Sequence, residues 1–383
     1  MGAIKKNVLP GAGNLEISEL SFGGAPIAGL FDEVGEQSAI RAVQSAMQAG
    51  INFFDSALLY GGGKSLEILG EALGEHPPKD VVVSFKVGRV LVDSPDQVPD
   101  GKECKEIEGF AGDKRYYYDY SKEGVQKAFE QSMECFNRGR AKKGWAPLTA
   151  KDLNLLVLVH DPGKAEHGAA QPAVMSAVMR ESFPALWEMQ QQGIIKGYGI
   201  GTNEIGPCLR ALDDPHISVL LPAGRFTLLC NGATAAPQQI QEDSRNLPAL
   251  LNKIKTHSNQ PRIIAAAIGN SGLGYGGPNY NYAPASSEVK AFREKVAVSL
   301  QDYNGSHGTN YTMPQLLARY ALDQGDGLVA TVMPGPRSES EVQQAVDAHQ
   351  ATIPDDLWKY LADRGLTSSR DGLHTQPSAR RMA

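Results

Sequence analysis

Eight short apolar runs, separated by amphipathic stretches, limit what this chain can fold into more than any other feature. The runs fall at 20–26, 51–56, 81–86, 153–160, 196–202, 218–223, 262–268 and 328–334. They are continuous rather than alternating in polarity, which means burial on both faces and hence a parallel sheet covered by helices. Between them apolar residues recur at helical spacing, as Ile40, Val43 and Met47 do, and Val125, Phe129, Met133 and Phe136. Further patterns of this kind lie around 183–192, 247–255, 313–322 and 338–348. Eight such units predict a (β/α)8 TIM barrel rather than an open doubly wound sheet, and no G-x-G-x-x-G opens a helix after a strand. The stretch 6–19 reads as a β-hairpin turning at Pro10-Gly11-Ala12-Gly13 and closing the barrel bottom. A single domain is expected over 1–366, with a polar, frayed tail over 367–383.

Two stretches break the rhythm. One follows the third strand over 87–121 and carries Tyr116, Tyr117, Tyr118 and Tyr120; the other follows the seventh over 269–306 and carries Tyr275, Tyr280 and Tyr282. Long structureless loops are uncommon unless they are lids or binding loops, and a barrel places both on its C-terminal face. Their tyrosines can stack on a ring while hydrogen-bonding at the tip.

Composition narrows the function. With 383 residues, 42% of them apolar, the chain can bury a large core. A net charge of -6, with no long Lys/Arg run, argues against nucleic-acid binding. Cys104, Cys135, Cys208 and Cys230 lack C-x-x-C spacing, and the eight histidines lack H-E-x-x-H, so no metal is expected. The scattered thiols, the absence of a signal-peptide pattern and the lack of any run near the ~18 residues of a membrane helix point to a cytoplasmic protein. Its partner is expected to be a small-molecule substrate, with no membrane or nucleic acid involved. Nothing in the sequence fixes an oligomeric state.

The segment 51–73, INFFDSALLYGGGKSLEILGEAL, concentrates the chemistry. Its strand ends on a carboxylate, Asp55, and Tyr60 lies on the loop before the next helix. Gly63-Lys64-Ser65 mimics the end of a phosphate loop, but Leu58 stands where that motif needs its first glycine. The third strand ends on Lys86, an odd place for a lysine unless it faces a carboxylate. The fourth ends on His160, which taken alone reads as a structural residue.

This segment resembles the signature of the aldo-keto reductases, with Ser56 and Leu66 in place of the commoner Thr and Glu. That family's tetrad is Asp, Tyr, Lys and His at these strand ends, and the resemblance implies that Asp55, Tyr60, Lys86 and His160 are catalytic. Physical chemistry fits the carry-over. A tyrosine titrates near ~10, and an adjacent ammonium is expected to lower that value. His160 can donate to the substrate oxygen. None of the four supplies a hydride, so a nicotinamide cofactor must.

The resemblance further implies that Asn203 binds the carboxamide and that Phe226 stands where a tyrosine often stacks on the nicotinamide. It assigns Ser271, Gly272 and Leu273 to the pyrophosphate loop, and Gly335, Arg337 and Ser338 to a helix N-terminus suited to anions. Gly335 replaces a Lys, Glu341 stands where an Arg grips the 2′-phosphate of NADP, and Ala345 replaces an Asn facing adenine. A carboxylate at 341 favours NAD, while Arg337 leaves NADP open. Strings such as Phe85-Lys86-Val87-Gly88-Arg89 and His160-Asp161-Pro162 resemble the D-threo-aldose 1-dehydrogenase and pyridoxal 4-dehydrogenase branch. The expected substrate is a cyclic sugar-like or pyridoxal-like alcohol. An NADPH-dependent carbonyl reductase is the first alternative, and a non-enzymatic binding subunit, as among channel-associated members, the second.

Overall fold

The computed structural model describes residues 3–110 and 112–374. Each apolar run supplies a strand: β1 (Phe22–Gly23), β2 (Phe53–Asp55), β3 (Val82–Val87), β4 (Asn154–His160), β5 (Gly197–Thr202), β6 (Val219–Pro222), β7 (Arg262–Ala266) and β8 (Val329–Met333). The strands pair in parallel in chain order. A parallel bridge from Leu20 to Val332 joins the two ends, with the Ser21 amide donating to the Val332 carbonyl at 2.9 Å. The sheet is therefore closed, and the fold is the expected (β/α)8 barrel.

Alternation along the strands sorts residues into two cores. Outward residues such as Phe54, Val83, Phe85, Leu155, Val157 and Ile200 meet the apolar faces of the surrounding helices. Inward residues, among them Phe53, Val82, Leu156, Leu158, Val219 and Ile264, fill the barrel. The N-terminal hairpin, Lys6–Leu9 paired with Leu15–Ser18, packs Leu9, Ala12 and Ile17 into the same inner core. It plugs the bottom as the sequence implied.

The inward face of β5 is made of glycine alone, at Gly197, Gly199 and Gly201. A Cβ on Gly197 would come within 2.8 Å of the plug residue Ala12, and one on Gly201 within 3.4 Å of Lys86 Cε. At Gly199 it would lie 1.9 Å from the Val219 carbonyl oxygen, which belongs to backbone and cannot swing aside. Gly199→Ala should therefore cost about 2 kcal/mol or more. Gly206→Ala, where a Cβ meets nothing within 4 Å, should be neutral or stabilising. Urea melts of the two variants test this, and equal midpoints would contradict the packing described.

Three expectations need correction. The stretch 87–121 is not a bare loop but a small antiparallel sheet of Arg89–Val92, Arg115–Tyr118 and Lys105–Glu106, in that spatial order. The stretch 269–306 is mostly helix, Ser287–His307, capped by Ser286 and anchored by Val289, Phe292, Val296, Leu300 and Tyr303. The chain just beyond 366 is packed rather than frayed. Leu373 is buried, and Ser368 donates two hydrogen bonds to Asn231, from its amide to Oδ1 and from its hydroxyl to the backbone carbonyl. The rest of the expected tail, 375–383, lies outside the described residues. Among the described residues, no helix is long and apolar enough to cross a membrane.

Candidate active site

The same alternation that builds the inner core carries polar residues to its upper rim. Along β2 it runs Phe53, Asp55; along β3, Val82, Ser84, Lys86; along β4, Leu156, Leu158, His160. Apolar layers give way to charge where each strand reaches its C-terminal end. Tyr60 joins them from the turn after β2. There Gly61, Gly62 and Gly63 all take left-handed backbone, turning the chain sharply into the helix Lys64–Ala72. The phosphate-loop look-alike inside this turn serves packing: Ser65 is buried and donates to the Gly24 carbonyl at 2.8 Å.

The four expected groups converge. Lys86 Nζ donates to Asp55 Oδ2 in a short ion pair and to the Tyr60 hydroxyl at 3.0 Å. Ser84 donates to the other oxygen of Asp55 at 2.6 Å. The His160 ring meets Tyr60 edge-on, with centroids 6.0 Å apart. Asp55 and Lys86 are each 3% exposed, so the pair sits in a nearly dry environment.

Electrostatics overturns one expectation. The Tyr60 hydroxyl is not lowered but held well above 10, by burial first and then by the charges of Asp55 and Asp161, with Arg89 opposing. The ammonium expected to lower it is paired with Asp55, and the charge of that carboxylate raises the phenol. His160 is held well below the usual histidine range by burial and by the nearby cations Arg89 and Lys86. The site thus presents a protonated phenol and a neutral imidazole side by side.

The expected cofactor residues separate into groups. Asn203 follows β5, and Ser271 lies in the turn after β7. Tyr282 ties them together, its amide donating to Ser271 Oγ at 3.0 Å and its hydroxyl to Asn203 Oδ1 at 3.5 Å. Gly272 is left-handed and leads into the short helical turn Leu273–Tyr275, where Leu273 is buried and its amide and carbonyl are bound within the turn by Asn270 and Gly276. Gly335, Arg337, Ser338 and Glu341 gather at the start of the helix Glu339–His349, which Ser338 caps. Arg337 is bound there by Glu341 on one side and Asp32 on the other. Phe226 does not take its expected place. It is fully buried, edge-on to Tyr320 at 6.1 Å in the outer core, so no ring face is open to stacking.

Most of the tyrosines in the two insertions also serve structure. Tyr280 donates to Asp243, and Tyr120 to the His160 carbonyl. Of the other aromatic groups in the insertions, Phe110 stacks on Tyr60 at 6.1 Å and Tyr282 stacks on Phe31 at 6.2 Å.

Comparison with known proteins places the chain in a family. The model of the aldo/keto reductase family matches residues 19–363, and the chain belongs to that family. It is 27% identical to a pyridoxal 4-dehydrogenase of Microbacterium luteolum, over 94% of this chain and 97% of the relative. It is 26% identical to a D-threo-aldose 1-dehydrogenase of a Pseudomonas species, over 93% and 96% respectively. An aldo-keto reductase of Bacillus halodurans, solved in its holo form, superposes with a TM-score of 0.63 at 19% identity, covering 99% of both chains. The protein is an NAD(P)-dependent oxidoreductase.

Sequence reasoning missed Ser84, Arg89 and Asp161. Ser84 had a legible signal, because it lies two residues before Lys86 and so shares its face. Arg89 and Asp161 stood in strings noted only for resemblance, and their contact crosses from the inserted sheet to the end of β4.

Proposed function

We propose that the protein oxidises a hydroxyl-bearing carbon of a cyclic, sugar-like or pyridoxal-like compound, with Tyr60 as the proton-transfer residue and NAD as the preferred coenzyme. The observation that carries this reading is the 3.0 Å contact of the Tyr60 hydroxyl with Lys86, itself buried against Asp55. When bound, the nicotinamide accepts or returns the hydride. Tyr60 takes the hydroxyl proton in oxidation and gives it back in reduction. Lys86 stabilises the phenolate as it forms, Asp55 and Ser84 hold Lys86 in position, and neutral His160 donates a hydrogen bond to the reacting oxygen. Phe110 and Tyr282 offer faces against which a ring packs while its hydroxyls meet polar groups. The pyridoxal and aldose dehydrogenases among the relatives support that substrate class.

The residues expected at the coenzyme fit it. An amide at Asn203, a hydroxyl at Ser271 and a capped helix N-terminus at Ser338 would hold the carboxamide and phosphates. The preference for NAD follows from charge at the far end. Arg337 is bracketed by Glu341 and Asp32, so two carboxylates face one cation where an additional phosphate would have to sit. Glu341→Arg removes one carboxylate and frees Arg337, and should shift the NADP-to-NAD affinity ratio by about tenfold or more toward NADP. Fluorescence titrations with both coenzymes measure the ratio. Tighter binding of NADP by the unaltered protein would contradict the preference and favour the carbonyl-reductase alternative.

A further inference from the structure

Two buried charged groups beside His160 have no part in the proton transfer above. Asp161 follows His160, and its Oδ2 stands 3.3 Å from His160 Nε2 and 3.1 Å from Arg89 Nη1. Its backbone is left-handed, with φ 47°, a conformation that among residues with a side chain Asp and Asn adopt most readily. Arg89 is 3% exposed and lies over the rings of Tyr116 and Tyr118, at 5.4 and 5.0 Å. Its Nη2 donates to the Tyr118 hydroxyl and lies 3.6 Å from Glu166, while its Nε has no partner. Burying such a pair rarely stabilises a fold, because desolvation offsets the mutual attraction.

The carboxylate is incompletely used. Oδ2 accepts from Arg89 and lies beside His160, but Oδ1 accepts no hydrogen bond from the protein and is not sealed from solvent. Asp161 is also close enough for its charge to raise the hydroxyls of Tyr60, where burial and then Asp55 act more strongly, and of half-exposed Tyr282, where Tyr60 acts more strongly. It therefore faces the space bounded by the tetrad and the loop after β7.

We infer that Asp161 determines specificity by accepting a hydrogen bond from a second substrate hydroxyl, on the atom beside the reacting carbon, and that Arg89 is the positioning residue that holds it there. The inference deepens the ring-hydroxyl reading above and rests on it. Neighbouring oxygens of a gauche diol lie about one hydrogen-bond length apart. An oxygen bound at His160 Nε2 thus sets its neighbour within reach of the carboxylate one residue on. A substrate without that hydroxyl leaves a desolvated carboxylate unsatisfied, which discriminates strongly.

The test compares kcat/KM for matched substrates in the unaltered protein, Asp161→Asn and Asp161→Gly. Asn tolerates the left-handed backbone and keeps the shape, while Gly removes the carboxylate without strain. One pair is an aldopyranose and its deoxy analogue lacking the hydroxyl beside the anomeric carbon, assayed with NAD. The other is lactaldehyde, whose hydroxyl sits on the carbon beside the carbonyl, and propanal, which lacks it, assayed in reduction. The unaltered protein should prefer the hydroxylated member by about 30-fold or more. The preference should shrink to a few-fold in Asp161→Gly and fall clearly in Asp161→Asn, with Arg89→Lys intermediate. Equal loss on both members of a pair would assign Asp161 a merely structural role and overturn the inference. Turnover of the aldehydes with none of either sugar would instead end the ring-sugar reading, and the aldehyde pair would still decide the role of Asp161.

Discussion

Tyr60→Phe is expected to lower turnover by roughly 10²–10⁴ while leaving coenzyme affinity within about twofold, because only the proton-carrying oxygen is removed. The ring still packs on Phe110 and still meets His160 edge-on. The pH profile should carry a matching signature. Burial and the charges of Asp55 and Asp161 hold the phenol well above 10 against the effect of Arg89, so its protonated form persists through the ordinary assay range. Reduction, which needs the proton, should be flat with pH. Oxidation, which needs the phenolate, should rise with pH without a plateau below roughly pH 9. His160, kept neutral, should add no limb near its usual value. Near-normal turnover in Tyr60→Phe, or an oxidation profile that levels off near neutrality, would reject this assignment.

Lys86→Met should affect both activity and stability. It strips the partner from Asp55, which is 3% exposed and keeps only the Ser84 hydroxyl at 2.6 Å. Leaving a buried charge uncompensated typically costs about 3–5 kcal/mol. The double variant Asp55→Asn/Lys86→Met removes both charges and should recover most of that stability. Activity should stay low in both, since neither retains a cation beside the Tyr60 hydroxyl. Denaturant melts and turnover on these two variants and on Asp55→Asn alone complete a cycle that separates the two effects. Recovery of activity along with stability in the double variant would show that Lys86 matters only for folding.

The barrel was legible because its strands are buried on both faces and alternate strictly. Lys86 and His160 each close a run in which every second residue faces the barrel interior, so their direction followed from their position. Asp55 and Tyr60 were legible from local sequence, since strand, turn and helix lie within one short segment. What could not be read was how charges are shared across strands. The sequence places Lys86 near Tyr60 but shows neither its ammonium committed to Asp55 nor the burial that is the larger influence on the phenol. Phe226 failed for a similar reason, because its ring direction is set by Tyr320, far along the chain.

The missed helices have local causes. Ser287–His307 carries apolar residues on both sides, with Val298 45% exposed opposite the packed stripe, and this blurs its period. Ile205–Ala211 contains Gly206 and Pro207, which read as breakers although proline in a first turn costs a helix little.

The central claim is that this barrel moves a hydride from a ring carbon to NAD while Tyr60 takes the proton. An aldopyranose deuterated at its anomeric carbon, incubated with the protein and NAD, tests it most directly when the coenzyme is examined by mass spectrometry. The account predicts NADH carrying one deuterium, formed in step with the lactone, with slower turnover than the unlabelled sugar gives. NADH without deuterium, or NAD left unreduced by aldopyranoses and pyridoxal alike while fluorescence shows it bound, would contradict it.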